Sequence, residues 1–187
     1  MSTINQSIRS RKSIYPIQFI DKPVPVEVLK ELLVNANHAP THRLTEPWRF
    51  KVFYDAGKKS LSEFLANKYK ETISDFQEAK YEKIKNNVLK SGAIIAIVLH
   101  RDEEERVPEW EEVAAVACSV QNIWIACQQY DLGGYWSTPP LVKYLGELVP
   151  LKPNEKCIGF FYLGYHEAND RIMPKKPIEE KVEWVME

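Results

Sequence analysis

The sequence has few cysteines, no long apolar run and no excess of either charge, and each of these absences excludes a class of protein. The longest apolar run is GAIIAIVL, from Gly92 to Leu99, whereas a transmembrane helix takes about 20 apolar residues. The net charge is -1, with both signs spread along the chain, so the basic surface of a nucleic-acid-binding protein is not expected. The N-terminal stretch MSTINQSIRSRK has no apolar core of the kind that a secretory signal carries. We therefore expect a soluble, cytoplasmic protein that binds neither membranes nor nucleic acids.

The three cysteines, Cys118, Cys127 and Cys157, do not have the spacing of a disulfide framework or of a metal site. Cys118 and Cys127 fall on one predicted helix, where their separation corresponds to ~13.5 Å of rise and to opposite faces. A disulfide needs Cα atoms within about 7 Å of each other, so this pair is excluded. No C-x-x-C or Cys/His ligand spacing is present. We therefore predict buried free thiols and no metal.

The apolar patterns predict one α+β domain over residues 1–187. A chain of this length buries roughly 70% of its unfolded surface, which is enough for a core without disulfides. The predicted helices lie over 22–36, from Ser60 towards Lys90, over Glu112–Tyr130 and over 139–148, and the predicted strands over Arg49–Tyr54, 93–100 and Lys156–Tyr165. Helices and strands do not alternate strictly, which favours α+β over a parallel α/β fold.

Local signals predict where some of these elements begin and end. Ser60 and Glu63 fit a capping box that opens the long polar helix. Gly133 and Gly134, in DLGGYW, supply permissive dihedrals for a helix stop and allow close backbone approach. The C-terminal segment MPKKPIEEKVEWVME predicts a short amphipathic helix with three inward side chains: Ile178, Val182 and Val185.

The predicted helix Glu112–Tyr130, EVAAVACSVQNIWIACQQY, is apolar on nearly all of its faces. Such a helix has to be buried on all sides. We therefore expect either a central core helix or a helix that completes its burial against a second subunit.

The segment HAPTHRLTEPWRF, from His38 to Phe50, joins the first long helix to the first strand. It carries more hydrogen-bonding side chains than turn chemistry requires. These side chains either hold a ligand or cap the preceding helix, with His42 and Arg43 as the candidate caps.

Six motifs follow one another nearly from end to end: RSRKS, APTHRLTEPWRF, VACSVQNIWIAC, DLGGYWST, GFFYLGY and MPKKPIEE. Together they resemble the nitroreductase family of FMN-dependent NAD(P)H oxidoreductases, and the short chain resembles its compact members. The resemblance implies a nitroreductase-like fold, in which helices flank a central, mostly antiparallel sheet and a long buried helix lies at a homodimer interface. It also implies FMN as the cofactor and NADH or NADPH as the hydride donor.

The resemblance places the phosphate and ribityl contacts at Arg11, Ser13 and Lys175, with Lys12 supplying backbone between the first two. A phosphate dianion prefers guanidinium or ammonium partners, so these residue types suit the role. Arg11 and Lys175 could instead be solvated surface charges.

The resemblance also implies that the loop with Pro40, Thr41 and His42 crosses the subunit interface to the flavin bound mainly by the other chain. His38, one turn earlier, could make the same crossing contact. An active site shared between the two chains of a homodimer follows from this implication.

The turn GGYWST places Trp136, Ser137 and Thr138 along the flavin ring, where a backbone N–H near N5 can stabilise the charge that develops in hydride transfer. Trp136 could instead pack only in the core. The chain departs from the family at Tyr15, where a basic residue is common, and at the lysine pair Lys175 and Lys176, where arginines are common.

The activity implied is ping-pong transfer of a hydride from NAD(P)H through the flavin to an electron-poor acceptor, such as a nitroaromatic or a quinone. The flavin carries the chemistry, so no catalytic side chain is predicted. Two alternatives stay open: a flavoenzyme on the same scaffold that catalyses dehalogenation or dehydrogenation, and a protein that binds FMN without turnover.

Overall fold

The computed structural model describes residues 4–167 and 174–186, and the secondary structure accounts for most of them. The α-helices are α1 (Ile4–Ser10), α2 (Val26–Asn37), α3 (Ala56–Thr72), α4 (Glu78–Lys90) and α5 (Glu109–Cys127). The strands are β1 (Trp48–Phe53), β2 (Ala93–His100), β3 (Leu132–Ser137) and β4 (Glu155–Tyr165). Segments of 3-10 helix span Pro16–Gln18, His42–Leu44, Gln128–Tyr130, Pro140–Glu147 and Ile178–Lys181.

The four strands form one antiparallel sheet in the order β1-β2-β4-β3. Strand β2 is buried over nearly its whole length, as its unbroken apolar sequence predicts for a strand covered on both faces. The α+β class and the central antiparallel sheet flanked by helices are therefore confirmed.

Each face of the sheet carries its own apolar core. On one face, α2 and α5 pack against side chains that include Ile95, Ile97 and Phe161. On the other face, α3, α4 and the 3-10 segment Pro140–Glu147 cover Ile94, Val98 and Tyr162 among others. The strict alternation along β2 follows from the two-residue repeat of strand side chains. Strand β3 lies at one edge of the sheet, so both cores end beside it.

The long helix predicted from Ser60 to Lys90 is two helices, and the predicted capping box is wrong. Helix α3 begins at Ala56 after Asp55, so Ser60 lies inside it, and the chain reverses between Thr72 and Glu78 before α4. One helix over this stretch would be ~45 Å long and would extend beyond the sheet. Two shorter helices place both apolar faces on the same core.

The glycine pair does not stop a helix. Asp131, with φ 54° and ψ 28°, takes the left-handed conformation after α5, and Gly133 and Gly134 belong to β3. The predicted close backbone approach is confirmed. A Cβ on Gly133 would lie 2.5 Å from Ile14 Cγ1, and one on Gly134 would lie 2.6 Å from the Tyr162 carbonyl oxygen.

The predicted C-terminal amphipathic helix is also wrong. Its described part has one short 3-10 segment, and the three side chains expected to face inward are exposed: Ile178, Val182 and Val185. A segment this short cannot align an apolar stripe over two turns, and the described core offers these side chains no packing surface. Met173 and Glu187, which begin and end the predicted segment, lie outside the described residues.

The prediction that all three thiols are buried is wrong for Cys118, which lies on the outer face of α5. All three cysteines are free, and Cys127 and Cys157 are buried, whereas Cys118 is exposed. Ala114 and Ala117 are exposed beside it on the same helix, so α5 is buried by its own chain on one side only. No helix in the described parts of the chain is long and apolar enough to cross a membrane.

Candidate functional site

An extended segment that follows α1 lies directly against β3. Ser13 forms a parallel bridge with Gly134, and the Ile14 N–H donates to the Gly134 carbonyl over 3.1 Å. The close fit depends on the absence of a side chain at Gly133, because Ile14 occupies the space that a Cβ would fill. The segment is thereby fixed along the edge of the sheet, with Arg11 at its beginning.

A cleft of about 220 Å³, which we call the basic cleft, opens between this segment, β3 and the end of α5. Its lining residues are Ser10, Arg11, Lys12, Ile14, Trp124, Gln128, Leu132, Gly133 and His166. The lining contains two basic side chains and no carboxylate. A small anion is therefore the electrostatically favoured ligand of this cleft.

Two buried donors in the basic cleft lack a hydrogen-bond partner in the part of the chain that the structure describes. The Arg11 guanidinium lies 4.4 Å from the centroid of the Trp124 ring. Arg11 Nη1 and Trp124 Nε1 are both buried, and neither has a hydrogen-bond partner among the described residues. Buried donors are almost always paired in folded proteins, and a bound anion would satisfy the guanidinium with a charge-assisted bond.

The end of α1 is fixed to the end of α5 beside this cleft. Gln128 Nε2 donates to the Ser7 carbonyl over 2.5 Å, and Ser10 Oγ donates to Gln128 Oε1 over 2.5 Å. These bonds cross from the N-terminal helix to the C-terminal end of α5. They hold the start of the following segment, and with it Arg11, close to Trp124.

A second cavity of about 300 Å³, which we call the aromatic pocket, lies at the other end of β3, under α3 and α4. Its lining residues are Leu65, Tyr69, Thr72, Ile73, Lys80, Ile84, Asn87, Tyr135, Ser137, Pro139, Pro140, Leu141, Lys143, Tyr144 and Tyr162. Four tyrosines and two prolines give it flat, apolar walls. This composition is typical of a small-molecule site.

The tyrosines that meet at this pocket are stacked. The rings of Tyr135 and Tyr162 are 5.3 Å apart and 18° from parallel, whereas the Tyr15 ring lies 4.9 Å from Tyr135 and is tilted by 53°. Burial raises the pKa of the Tyr135 and Tyr162 phenols. Both therefore stay protonated at neutral pH and can donate hydrogen bonds but not accept a proton.

Strand β3 connects the two cavities. Gly133 lines the basic cleft, whereas Tyr135 and Ser137, two and four residues further, line the aromatic pocket. Four residues of strand span ~13 Å. The arrangement places an anion site and a flat apolar pocket at the two ends of one short strand.

The last residues of β3 are strand, where the sequence predicted a turn. Trp136 and Ser137 pair with Phe161 and Phe160 of β4, and Thr138 follows the strand as an exposed residue. Because strand side chains alternate, Ser137 lines the aromatic pocket while Trp136 points to the opposite face. The prediction of a turn is wrong because pairing with β4 outweighs the weak strand tendency of the glycines.

Trp136 packs against the core under α2 and α5. Its indole lies over Gly159, where a Cβ would come 2.0 Å from Trp136 Nε1. The Nε1 atom is buried with no hydrogen-bond partner in the described structure. These contacts favour the packing interpretation of Trp136 within one chain.

The loop that follows α2 is exposed and carries unusual backbone conformations. Arg43, Leu44 and Glu46 all have positive φ, at 50°, 55° and 41°. Such values are uncommon for residues other than glycine, and for leucine they indicate strain. Leu44 is 82% exposed. The loop therefore presents an apolar side chain outwards at a strained position, which is a common feature of binding segments.

The predicted contacts in this loop bond within their own chain. His42 Nδ1 lies 2.6 Å from Glu111 Oε2 on the first turn of α5, so the ring does not cap α2. Thr41 Oγ1 accepts from the Glu46 N–H over 3.2 Å, and His38 ends α2. Pro40 is exposed.

The structure brings some of the predicted site residues together and leaves others apart. Arg11 and Lys12 line the basic cleft with Ser13 next to them, and Ser137 lines the aromatic pocket. The residues that line neither cavity are Ser13, His38, Pro40, Thr41, His42, Trp136, Thr138 and Lys175. Lys175 lies in an exposed stretch before the last 3-10 segment.

Sequence reasoning missed the aromatic half of the site. Trp124 was predicted only as a residue of an apolar helix, and no signal in the sequence indicates that it contacts Arg11. Tyr135 had a detectable signal. If GGYWST had been interpreted as a strand, its two-residue repeat would have placed Tyr135 and Ser137 on one face.

Comparison with known proteins identifies the fold and the family. The model of the nitroreductase family matches residues 8–165. This chain belongs to the nitroreductase family. YfhC of Bacillus subtilis strain 168, provisionally named an NAD(P)H nitroreductase, is 30% identical over 183 residues, which is 96% of this chain and 93% of YfhC.

Other similar proteins extend the comparison. A nitroreductase-like family protein from Bacillus cereus superposes with a TM-score of 0.82 at 26% identity, covering 99% of this chain and 97% of that chain. A provisionally named nitroreductase from Desulfovibrio desulfuricans, solved in complex with FMN, has a TM-score of 0.72 at 24% identity, with 97% and 96% covered. The iodotyrosine deiodinase of Hydra vulgaris is 25% identical over 193 residues, which is 93% of this nitroreductase-family chain and 70% of the deiodinase.

Proposed function

We propose that this protein is an FMN-dependent oxidoreductase that passes a hydride from NADH or NADPH to an electron-poor acceptor in two alternating half-reactions. The observation that carries the proposal is the pair of unpartnered buried donors, Arg11 Nη1 and Trp124 Nε1, in a cleft without carboxylates. They lie at one end of β3, and a flat aromatic pocket lies at the other. Family membership and the FMN complex of the Desulfovibrio relative support the same cofactor.

The residues present fit FMN. Arg11 and Lys12 would bind the phosphate, with the Trp124 ring holding the guanidinium in place through a cation–π contact. Ser13, on the segment between the two cavities, is suited to the ribityl hydroxyls. Lys175 remains a predicted phosphate contact. Pro40, Thr41 and His42 remain predicted contacts to the flavin of a second chain. When bound, FMN supplies the capacity to accept and release a hydride.

The protein would position the reactants and exclude water. The backbone N–H of Thr138, the residue that follows β3, is the candidate hydrogen-bond donor to the ring, because Ser137 pairs with Phe160 of β4. The apolar walls of the aromatic pocket keep water from the acceptor. For a nitro compound, reduction to the nitroso level takes one hydride from NAD(P)H and one proton from solvent, and it releases one water molecule.

We also propose that the protein is a homodimer with shared active sites. The outer face of α5 leaves Ala114, Ala117 and Cys118 exposed, and the strained loop presents Leu44 outwards. A symmetric partner would cover both surfaces and bring the loop to the other chain's cofactor. The cytoplasmic location stays a prediction.

The test is the absorbance spectrum of the purified protein, mixed with FMN and passed through a desalting column. We expect retained flavin bands that bleach on anaerobic addition of NADPH and return on addition of a nitroaromatic or a quinone. A colourless protein would contradict the proposal. A coloured protein that NADPH does not bleach would instead be a flavin-binding protein without turnover.

Reductive dehalogenation is a second candidate, favoured by the similarity to the Hydra deiodinase. It predicts release of iodide from iodotyrosine when the flavin is reduced by dithionite. Iodide release without nitroaromatic or quinone reduction would replace the main proposal.

A further inference from the structure

The aromatic pocket carries a positive rim that the cofactor proposal does not use. Lys80, in the first turn of α4, lies with Nζ 5.1 Å from the centroid of the Tyr69 ring. Lys143, in the Pro140–Glu147 segment, lies with Nζ 5.0 Å from the Tyr144 ring. Both rings belong to the pocket wall. The two ammonium groups are therefore held over its aromatic surface by cation–π contacts.

Neither lysine is neutralised within the described chain. Lys68, which also lies over the Tyr144 ring, is paired with Glu71 and Glu147. Lys80 and Lys143 have no ion pair with a carboxylate in the described residues, and no Asp or Glu lines the pocket. The pocket therefore has two uncompensated positive charges and no negative charge at its surface.

The rest of the lining specifies the shape of the ligand. Tyr135 and Tyr162 form a parallel stack, and Pro139, Pro140 and Leu141 add flat apolar surface. The volume, about 300 Å³, lies at the lower end of the range of roughly 300–1,000 Å³ for small-molecule sites. A ligand with one or two fused rings fits such a space. The Tyr162 phenol also lines the pocket, and because burial keeps it protonated it can donate a hydrogen bond to the ligand.

We propose that the aromatic pocket binds the electron acceptor and selects planar aromatic acids over neutral aromatics of the same shape. The ring lies between the tyrosine and proline walls, and the anionic group is directed to Lys80 and Lys143. This inference rests on the proposed function, because it assigns the acceptor to the pocket that Ser137 shares with the predicted flavin contacts. It goes further by naming the charge and the size of the acceptor.

The test compares 4-nitrobenzoate with 4-nitrobenzamide, which has the same ring and nitro group but no charge. Binding to the oxidised, FMN-loaded protein is measured by titration calorimetry, so that no turnover is needed. We expect the acid to bind about five- to tenfold more tightly than the amide, since two partly exposed charges contribute modestly. In the double variant Lys80→Gln/Lys143→Gln, this preference should disappear while the affinity for the amide stays unchanged.

The matched control is Lys83→Gln, an exposed lysine on α4 that does not line the pocket, which should leave the preference intact. Equal binding of acid and amide to the unaltered protein would overturn the inference. A preference for the acid that survives in the double variant would also overturn it. The same holds if the double variant binds only NADPH more weakly. Failure of the proposed function is separately visible, because the protein would then not retain FMN or NADPH would not bleach it.

Discussion

The guanidinium of Arg11 lies 4.4 Å from the centroid of the Trp124 ring, and each side chain leaves one buried N–H without a partner in the described residues. The contact joins the segment after α1 to α5 across the end of the sheet. It fixes the plane of the guanidinium, which a lysine could not reproduce because an ammonium has no plane. The Trp124 ring therefore orients the guanidinium that would bind an anion in the basic cleft.

Arg11→Ala should weaken FMN binding while the fold stays intact. The lost charge-assisted contact contributes roughly 1.5–3 kcal/mol, so the Kd for FMN should rise ~10- to 100-fold. The measurement is a fluorescence titration of FMN, with a thermal melt beside it. Arg9→Ala is the matched control, because Arg9 is an exposed residue of α1 that does not line the cleft. Unchanged FMN affinity in Arg11→Ala would show that Arg11 does not bind the phosphate.

Gly159→Ala should destabilise the protein through Trp136. The added Cβ would lie 2.0 Å from Trp136 Nε1 and 3.0 Å from the Ser137 carbonyl oxygen, so the indole or the strand has to shift. Overpacking of this kind costs about 1–3 kcal/mol, and a melt should show a Tm lower by roughly 2–12 °C. Gly57→Ala is the control, because its nearest neighbour would be 3.9 Å away. A Tm equal to that of the unaltered protein would show that Trp136 moves freely.

Asp102 should contribute stability that disappears in acid. Hydrogen bonds from Arg106 hold the pKa of Asp102 at about 2, below its ordinary 3.8. Because the folded-state pKa is the lower one, the contribution is present above about pH 4 and is lost as pH falls towards 2. Asp102→Asn should therefore melt earlier than the unaltered protein at pH 7, and the gap should narrow below pH 4.

The exposed neighbour Glu103 provides the control for this measurement. Glu103→Gln should melt like the unaltered protein at every pH, since the structure gives its carboxylate no cationic partner among the described residues. A gap for Asp102→Asn that stays constant from pH 7 to pH 3 would mean that the aspartate acts through packing rather than through its charge.

The thiols should report whether α5 is covered. Burial raises the pKa of Cys127 to about 12 and that of Cys157 to about 11, and a buried thiol that stays protonated is unreactive. Cys118 is exposed in the single chain. If a partner covers this face, the native protein should show no fast-reacting thiol with Ellman's reagent, and three should react after denaturation.

One fast thiol per native chain, lost in Cys118→Ser, would contradict the proposed covering of α5. Cys118→Ser also serves as the control that assigns the fast thiol to Cys118, because after denaturation it should show two reactive thiols instead of three.

The fold could be predicted where residue type and burial agree. Strand β2 was predictable because its β-branched run is short and continuous, and α2 because its leucines repeat at helical spacing. Strand β3 was not, since two adjacent glycines are atypical of strands and its conformation depends on pairing with β4. The split between α3 and α4 likewise follows from the size of the sheet beneath them, which no local signal states.

The site was predictable only as far as the family resemblance reaches. It identified Arg11 and Ser137, which the structure places at opposite ends of β3. It did not identify Trp124 or the two lysines of the aromatic pocket, because their proximity arises from packing between distant segments. The predicted contact of the loop around His42 is with another chain, so it depends on assembly and not on the fold of one chain.

Each active site should be built from two chains. In the described chain, the loop with Pro40, Thr41 and His42 lines neither cavity, while Leu44 is 82% exposed. Polar residues of this loop would complete the cofactor site of a symmetric partner. This arrangement makes a prediction about two defective proteins, one with Arg11→Ala and one with Pro40, Thr41 and His42 replaced by alanine.

In each homodimer both sites are damaged, whereas a mixed dimer collects both defects in one site and neither in the other. Co-expression with two different affinity tags, followed by purification on both, isolates the mixed dimer. Its NADPH oxidation with an acceptor should reach up to about half of the normal rate by symmetry. Two copies of the Arg11 variant carrying the same two tags are the control and should regain nothing. If both contacts came from one chain, every site would keep one defect, and the mixed dimer would be no more active than the mean of its parents.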